Sequence, residues 1–96
     1  MVVTTLEAHV LAEKWSVLRD AYTSGLSQLP PQMVQTLLLQ SAADQSLWQI
    51  VSVWKSRETL DEMRNSGETS AGVVMFRAAG VEPKLSIFSV SASAPA

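Results

Sequence analysis

The sequence has no cysteine and only one histidine, His9, in its 96 residues. Without cysteine there can be no disulfide bond and no thiolate metal site, and one imidazole cannot supply a multi-histidine site within one chain. The glycine-rich pattern G-x-G-x-x-G of dinucleotide-binding proteins is also absent from the sequence. We therefore expect no metal ion and no flavin, nicotinamide or other cofactor.

Basic residues and long apolar runs are scarce as well. Seven Lys and Arg residues are scattered among nine Asp and Glu residues, which gives a net charge of −2. This distribution provides no electrostatic footprint for nucleic acid. No apolar run is long enough to span a bilayer, and the N-terminus lacks the basic and apolar regions of a signal peptide. We expect a cytoplasmic protein that binds neither nucleic acid nor a membrane.

Apolar residues, by contrast, are abundant for so short a chain. They make up 47% of the sequence, whereas charged residues make up 17%. A small domain has little interior in which to bury that much apolar surface. We expect an apolar face covered by another subunit, an apolar pocket, or both. The chain is long enough for one domain, which we assign to residues 1–90, and residues 91–96 are expected to fray.

Changes in apolar periodicity divide the chain into strands and helices. Residues 2–10 alternate as a strand does, and the period lengthens to three and four residues over 12–29, which predicts an amphipathic helix. Pro30 and Pro31 end that helix because proline cannot continue it. The remaining predicted elements are strands over 32–41, 47–54 and 84–90 and helices over 56–65 and 69–79.

One segment joins a strand to a helix with unusual clarity. The strand ends at Trp54, Ser56 is a natural N-cap, and Glu58 complements the positive end of the helix dipole. The resulting order of elements is β-α-β-β-α-β, which predicts a ferredoxin-like α+β fold with a four-stranded antiparallel sheet. Its helices cover one face of the sheet. We expect a second copy to cover the other face in a homodimer with twofold symmetry.

The segment Val53-Trp-Lys-Ser-Arg-Glu-Thr-Leu60, together with a final strand that begins after Pro83, resembles the antibiotic biosynthesis monooxygenase group of the dimeric α+β barrel superfamily. The resemblance covers nearly the whole chain in the order and spacing of its elements. It implies that two four-stranded sheets form a barrel in the dimer. The group includes cofactor-free oxygenases of aromatic polyketides, haem-degrading enzymes and quinol oxygenases.

Departures from the group's patterns narrow the expected function. Haem-degrading relatives carry a Trp in helix two and a haem-ligating His in the next helix, and those places fall at or near Met63 and Val73. Neither residue can take over these roles, so we do not expect haem degradation. Many other relatives carry a His just after helix two, where this chain has Asn65-Ser66-Gly67. We expect a cofactor-independent monooxygenase acting on a small aromatic, polyketide-like or quinone-like substrate in an apolar cleft. The alternative is a non-catalytic homodimeric module that binds a ligand or a partner.

Two residues are candidates for catalysis. His9 is the one side chain whose ordinary pKa lies near neutrality, and it could remove a phenolic proton with Glu7 beside it on the same strand face. The alternation of strand one also fits a solvent-exposed or interface histidine that points toward the dimer barrel. Arg77 could stabilise an oxyanion beside a pocket. It could equally be a surface residue that forms a salt bridge.

Five residues are candidates for binding a small aromatic ligand. Trp54 and Trp48 lie six residues apart and on one face of the predicted strand, where they could sandwich a planar ring. Large aromatic side chains also fill small cores, and that alternative stays open for both. Tyr22 could donate a hydrogen bond to a ligand carbonyl, while Met63 and Phe76 could add apolar wall.

Overall fold

The molecule is a four-stranded antiparallel sheet with its helices packed on one face. A computed structural model describes residues 1–67 and 69–95. The strands are β1 (Val2–His9), β2 (Met33–Gln40), β3 (Leu47–Trp54) and β4 (Lys84–Ser89), and the α-helices are α1 (Trp15–Gly25), α2 (Arg57–Asn65) and α3 (Ala71–Ala78). The strands lie in the order β2-β3-β1-β4. This confirms the predicted ferredoxin-like α+β fold.

The helix boundaries follow from the capping residues. The Ser56 side chain accepts a hydrogen bond from the Thr59 amide and starts α2, as predicted, and Ser70 caps α3 in the same way. The helix predicted over 12–29 is an α-helix only over Trp15–Gly25, with short 3-10 turns over 12–14 and 26–28. No side chain caps the start of this region. A 3-10 turn there lets a backbone amide near the helix start donate to a nearby carbonyl, as Lys14 does to Leu11.

Alternation along the central strands separates a buried face from an open face. On β3, Trp48, Ile50, Ser52 and Trp54 are buried beneath the helices. Their neighbours Gln49, Val51 and Val53 belong to the other face, as the period of a strand requires. Apolar side chains on that open face are exposed, among them Leu37 at 43% and Phe88 at 55%. Within the described residues, the open face therefore carries exposed apolar side chains beside polar ones such as Glu7 and Gln49.

The hydrophobic core is divided into two clusters. The larger cluster joins α1 and α3 to the sheet, and its buried members are Leu6, Val10, Leu18, Trp48, Ile50, Met75, Phe76 and Ala79. The smaller cluster fastens α2 to the sheet through Val2, Trp54 and Leu60. Along the strands, Thr4 and Ser52 lie between the clusters, and both are buried. Polar side chains thus mark the boundary between the two parts of the core.

The end of the chain adds little to the core. Residues 91–95 form neither helix nor strand, and Ala96, the last residue of the predicted tail, lies outside the described residues. The fraying of this tail stays a prediction. Of the helices in residues 1–67 and 69–95, none has the length and apolar character that crossing a bilayer requires.

Candidate functional site

A cavity of about 360 Å³ lies between the helices and the sheet. Its volume falls within the range of small-molecule sites, which is roughly 300–1,000 Å³. Side chains of both core clusters line it. The buried part of the lining comprises Thr4, Leu6, Ile50, Ser52, Trp54, Leu60 and Met75, and the exposed rim includes Leu29, Arg64, Arg77 and Leu85. The site is therefore an apolar chamber with a few polar groups in its wall.

Trp54 is held in the wall of this cavity by a hydrogen bond to β1. It is the last residue of β3 and 4% exposed. Its Nε1 donates to Thr4 Oγ1 across 3.0 Å. This bond fixes the orientation of the ring and occupies the indole N–H. Trp54 can therefore offer a ligand its ring but not its polar hydrogen.

Three hydroxyl side chains form a row across adjacent strands beside Trp54. Thr4 pairs with Ser52, and Ser52 pairs with Thr36 in the strand register. The oxygen atoms of Thr36 and Ser52 lie 3.3 Å apart. Thr4 and Ser52 also line the cavity. Neither residue was predicted from the sequence as part of a site, although each interrupts an otherwise apolar set of inward-facing positions on its strand.

The start of α3 closes one side of the cavity, and glycine permits its close approach to the sheet. A Cβ atom built on Gly72 would lie 2.6 Å from Leu6 Cδ1 and 3.8 Å from Ile50 Cδ1. Both side chains belong to the sheet and line the cavity. Any larger residue at this position would displace the end of the Leu6 side chain.

Two arginines supply the positive charge around the cavity. Arg77 lies at the exposed rim and forms an ion pair with Glu82. The hydrogen bond from Arg77 to Glu82 and the charge of that carboxylate raise the pKa of Arg77 above its ordinary value. Glu82 thus neutralises part of the positive charge with which Arg77 was predicted to stabilise an oxyanion. Arg64, in the last turn of α2, also lines the cavity and forms no ion pair with any described residue.

The structure places the other predicted binding residues in two different environments. Tyr22 and Met63 line the cavity together with Trp54. Phe76 is fully buried in the larger core cluster, and Trp48 lies in the same cluster. Neither of these two contributes to the cavity wall.

Trp48 is surrounded by other residues of the core and by one cation. Its ring centroid lies 6.1 Å from that of Trp15, with the planes tilted by 55°. The Arg19 guanidinium lies 5.2 Å from the centroid of the Trp48 ring. The Trp48 Nε1 atom is buried and has no acceptor among the described residues. The aromatic partner of Trp48 is thus another tryptophan of the same chain.

His9 lies on the opposite face of the sheet from the cavity, at the end of β1. Its Nδ1 is 2.9 Å from Ser46 Oγ and 3.5 Å from Asp44 Oδ2. Hydrogen bonds from Ser46, its side chain first and its amide second, hold the pKa of Asp44 below the ordinary value. Glu7 instead accepts a hydrogen bond from Gln49 Nε2. In the structure, Glu7 and His9 therefore have separate partners on the open face.

The ionisable groups in the wall limit the chemistry that the cavity can perform. Among the described residues that line it, the ionisable side chains are Tyr22, Arg64 and Arg77. That lining contains no carboxylate and no imidazole. Within residues 1–67 and 69–95 there is also no cluster of three side chains suited to hold a metal ion. The described wall can bind, orient and donate hydrogen bonds, but it has no group that accepts a proton near neutral pH.

Solved structures of known proteins share this architecture. A Nitrosomonas europaea protein provisionally described as an antibiotic biosynthesis monooxygenase superposes with a TM-score of 0.72 at 19% identity, over 96% of this chain and 100% of its own. Rv0793 from Mycobacterium tuberculosis gives 0.71 at 15% identity, over 98% of each chain. A mutant of SnoaB, a cofactor-independent oxygenase from Streptomyces nogalater, gives 0.67 at 16% identity, over 99% of this chain and 97% of its own.

Comparison of sequences found no match, whereas comparison of structures found several. No protein-family model matches the sequence, and no curated protein matches it. The structural matches extend over nearly the full length of the chains compared. They confirm, at the level of architecture, the resemblance seen in the segment that ends β3 and begins α2. This chain has the fold of the antibiotic biosynthesis monooxygenases.

Proposed function

We propose that this chain is a cofactor-independent monooxygenase whose cavity holds a small aromatic, polyketide-like or quinone-like substrate. The observation that carries the proposal is the apolar cavity between sheet and helices, with the Trp54 ring fixed in its wall. Flat apolar molecules gain most from such a site because aromatic rings pack favourably against one another. SnoaB, which shares the fold, is described as a cofactor-independent oxygenase.

The substrate would supply most of the chemistry in this reaction. An anthrone or quinol that ionises to an electron-rich anion can pass electrons to O2 directly. Where a CH2 group is oxidised to a carbonyl, one oxygen atom of O2 enters the product and the other leaves as water. The protein's part is to exclude water and hold the ring. No described lining residue is a carboxylate or an imidazole, and we expect the substrate to lose its proton to solvent rather than to this part of the wall.

Oxygen consumption tests the proposal directly. Purified protein, without added metal or cofactor, should accelerate O2 uptake by a hydroxyanthrone or a quinol above the rate measured with heat-denatured protein. Trp54→Phe should slow the reaction, because it changes the cavity wall and releases Thr4 from its hydrogen bond. His9→Ala should leave the rate unchanged, since His9 lies on the other face of the sheet. If native protein is no faster than denatured protein with both substrate classes, catalysis is refuted.

One observation favours a second function, that of a non-catalytic ligand-binding module. The described cavity wall lacks the proton acceptor that generic acid–base catalysis needs. Binding of a hydroxyanthrone or a quinol without accelerated O2 uptake would establish this alternative. Equilibrium binding and oxygen uptake measured on the same preparation would separate the two functions.

We also propose that two copies of the chain associate through the open face of the sheet. Exposed apolar patches of this kind mark interaction sites, and the patch includes Leu37, Leu39 and Phe88. A second copy is the occupant that we favour, because the two identical faces would cover one another with twofold symmetry. The absence of a nucleic-acid partner and a cytoplasmic location stay predictions.

Sedimentation velocity at micromolar concentration tests this association. The wild-type protein should sediment as a dimer, and Leu37→Glu should shift it toward monomer by placing a charge in the apolar face. Leu26→Glu is a matched control because Leu26, at 41% exposed, is as accessible as Leu37, at 43%, but belongs to the turn that follows α1. A wild-type monomer at that concentration would refute the dimer.

A further inference from the structure

We propose that Thr4 and Ser52 form a two-donor site that binds one oxygen atom of the ligand at the sheet wall of the cavity. This inference rests on the proposed function, because it specifies which ligands the cavity prefers. It assigns specificity to two hydroxyl side chains rather than to a charged residue. The preferred ligands would be planar molecules that carry a carbonyl, enolate or phenolate oxygen.

The first donor follows from the hydrogen-bond arrangement of Thr4. Its Oγ1 already accepts the Trp54 Nε1 hydrogen across 3.0 Å. A hydroxyl that accepts one hydrogen bond still has its own hydrogen to donate. No acceptor for that hydrogen is found among the described residues, although Thr4 is only 8% exposed. Since Thr4 lines the cavity, a ligand oxygen there can accept this hydrogen.

The second donor follows from the pairing of Ser52 with Thr36. Their oxygens lie 3.3 Å apart, and one of the two hydroxyls donates to the other. Thr36 is absent from the cavity lining, whereas Ser52 belongs to it and is 6% exposed. When Thr36 donates to Ser52, the Ser52 hydrogen is available to the cavity. The pair of hydroxyls then has a direction, from Thr36 on β2 through Ser52 toward the ligand.

The strand register brings the two donors together. Thr4 and Ser52 are directly paired residues on neighbouring strands, and the Cβ atoms of such pairs lie about 4.5–5.5 Å apart. Both side chains point to the same face of the sheet, so that one oxygen atom can receive hydrogen bonds from both. Two donors that the strand register holds beside one oxygen stabilise negative charge on it better than water does, because they need less reorganisation. An anionic enolate or phenolate therefore gains more from this site than a neutral ring.

The surroundings make these hydroxyls the main polar determinant of the inner wall. The other buried lining residues are apolar, apart from the indole N–H that Thr4 already occupies. The two arginines lie at the exposed rim. A hydrogen bond made in the buried wall cannot be replaced by solvent as readily as one made at the rim. Discrimination between ligands with and without an oxygen should thus depend on Thr4 and Ser52.

The test uses two ligands that share a ring system and differ in their oxygens, 1,4-naphthoquinone and naphthalene. Affinities are measured by NMR titration of the full chain, which also locates binding through the signals of Ile50 and Met75. Thr4→Val and Ser52→Ala should each weaken naphthoquinone binding by about fivefold, the effect of one hydrogen bond. In Ser52→Ala, naphthalene affinity should stay within about twofold, because no hydrogen bond to it is lost. Thr4→Val also frees the Trp54 indole, so its effect is the loss of naphthoquinone affinity beyond any loss of naphthalene affinity.

Two further variants control for changes in packing. Thr5→Val makes the same chemical change one residue away, on the opposite face of β1, and should alter neither affinity. Thr4→Ser keeps the hydroxyl and should retain naphthoquinone binding, whereas a purely structural role for the threonine methyl would lower it. Ser52→Ala removes a single oxygen and serves where Thr4→Val does not fold.

The outcomes separate this inference from the proposed function. If Thr4→Val and Ser52→Ala weaken both ligands equally, or neither, the two-donor site is refuted while the cavity remains a binding site. If neither ligand binds the wild-type protein, the cavity is not a site for planar aromatic molecules, and both proposals are overturned. A selective loss of naphthoquinone supports the inference.

Discussion

The two tryptophans of β3 form a matched pair for measuring what one hydrogen bond contributes. Trp48 is 2% exposed and Trp54 is 4% exposed, and both lie on the helix side of the strand. Trp54 Nε1 donates to Thr4, whereas Trp48 Nε1 has no acceptor among the described residues. Replacing either by Phe removes the same atoms from a similarly buried place. The difference between the two variants therefore depends mainly on the indole N–H.

The size of that difference follows from three contributions. Trp54→Phe loses a hydrogen bond that is worth about 1 kcal/mol. Trp48→Phe removes a buried donor without a partner, which relieves about 1 kcal/mol. It also weakens the attraction of the Arg19 guanidinium for the ring, at a cost of about 0.5 kcal/mol. Trp54→Phe should thus be less stable than Trp48→Phe by about 1.5 kcal/mol, or roughly 7 °C in melting temperature for a domain of this size.

Urea and thermal unfolding followed by circular dichroism measure this difference. All proteins must be compared at one concentration, because association of subunits raises the apparent stability. In a Thr4→Val background both indoles lack an acceptor, so the excess cost of Trp54→Phe should disappear. If Trp48→Phe is as destabilising as Trp54→Phe in the wild-type background, the reasoning from hydrogen-bond pairing is refuted.

Three other perturbations have expected outcomes. Leu18→Ala should lower the free energy of unfolding by about 3 kcal/mol, because Leu18 is the fully buried residue of α1. Urea denaturation measures this, and a loss below about 1 kcal/mol would contradict it. Gly72→Ala should displace the Leu6 methyl, which lines the cavity, and weaken naphthoquinone binding in the NMR titration; unchanged binding would contradict it. Asp44 has a pKa below its ordinary 3.8 in the folded chain because Ser46 hydrogen-bonds to it. Its stabilisation of the β2–β3 hairpin should be complete above that pH and lost as the pH falls through the lowered pKa. Hydrogen exchange at the Ser46 amide, measured in the wild type and in Asp44→Asn, tests this. Protection in the wild type that increases as the pH falls would contradict it.

Local signals predicted most of the fold. The strand predicted over 47–54 coincides with β3, because its β-branched and aromatic residues end at a Trp that is followed closely by the N-cap Ser56. The first helix was predicted too long at both ends. Apolar spacing continues into residues 12–14 and 26–28, but spacing does not reveal whether a capping side chain is present, and the turns there are 3-10.

The site was less accessible to sequence reasoning, because it depends on distances along and across strands. Trp48 and Trp54 share a face, but six residues of strand separate them by roughly 20 Å, too far to enclose one small ring. This separation follows from strand geometry alone and is predictable from the sequence. The pairing of Thr4 with Ser52, by contrast, depends on the register between β1 and β3. Residues 48 positions apart give no local sign of such a contact.

The division of the core into two clusters has a consequence for how the molecule opens. The smaller cluster, Val2, Trp54 and Leu60, is what fastens α2 to the sheet, so α2 should open at a lower free energy than the rest of the fold. A molecule that filled the cavity would touch both clusters and join them into one cooperative unit. At a concentration 100 times its dissociation constant, such a molecule would add about 2.7 kcal/mol to the free energy of unfolding. The melting temperature can therefore serve as a screen for the natural ligand, with slowed amide exchange in α2 as its signature.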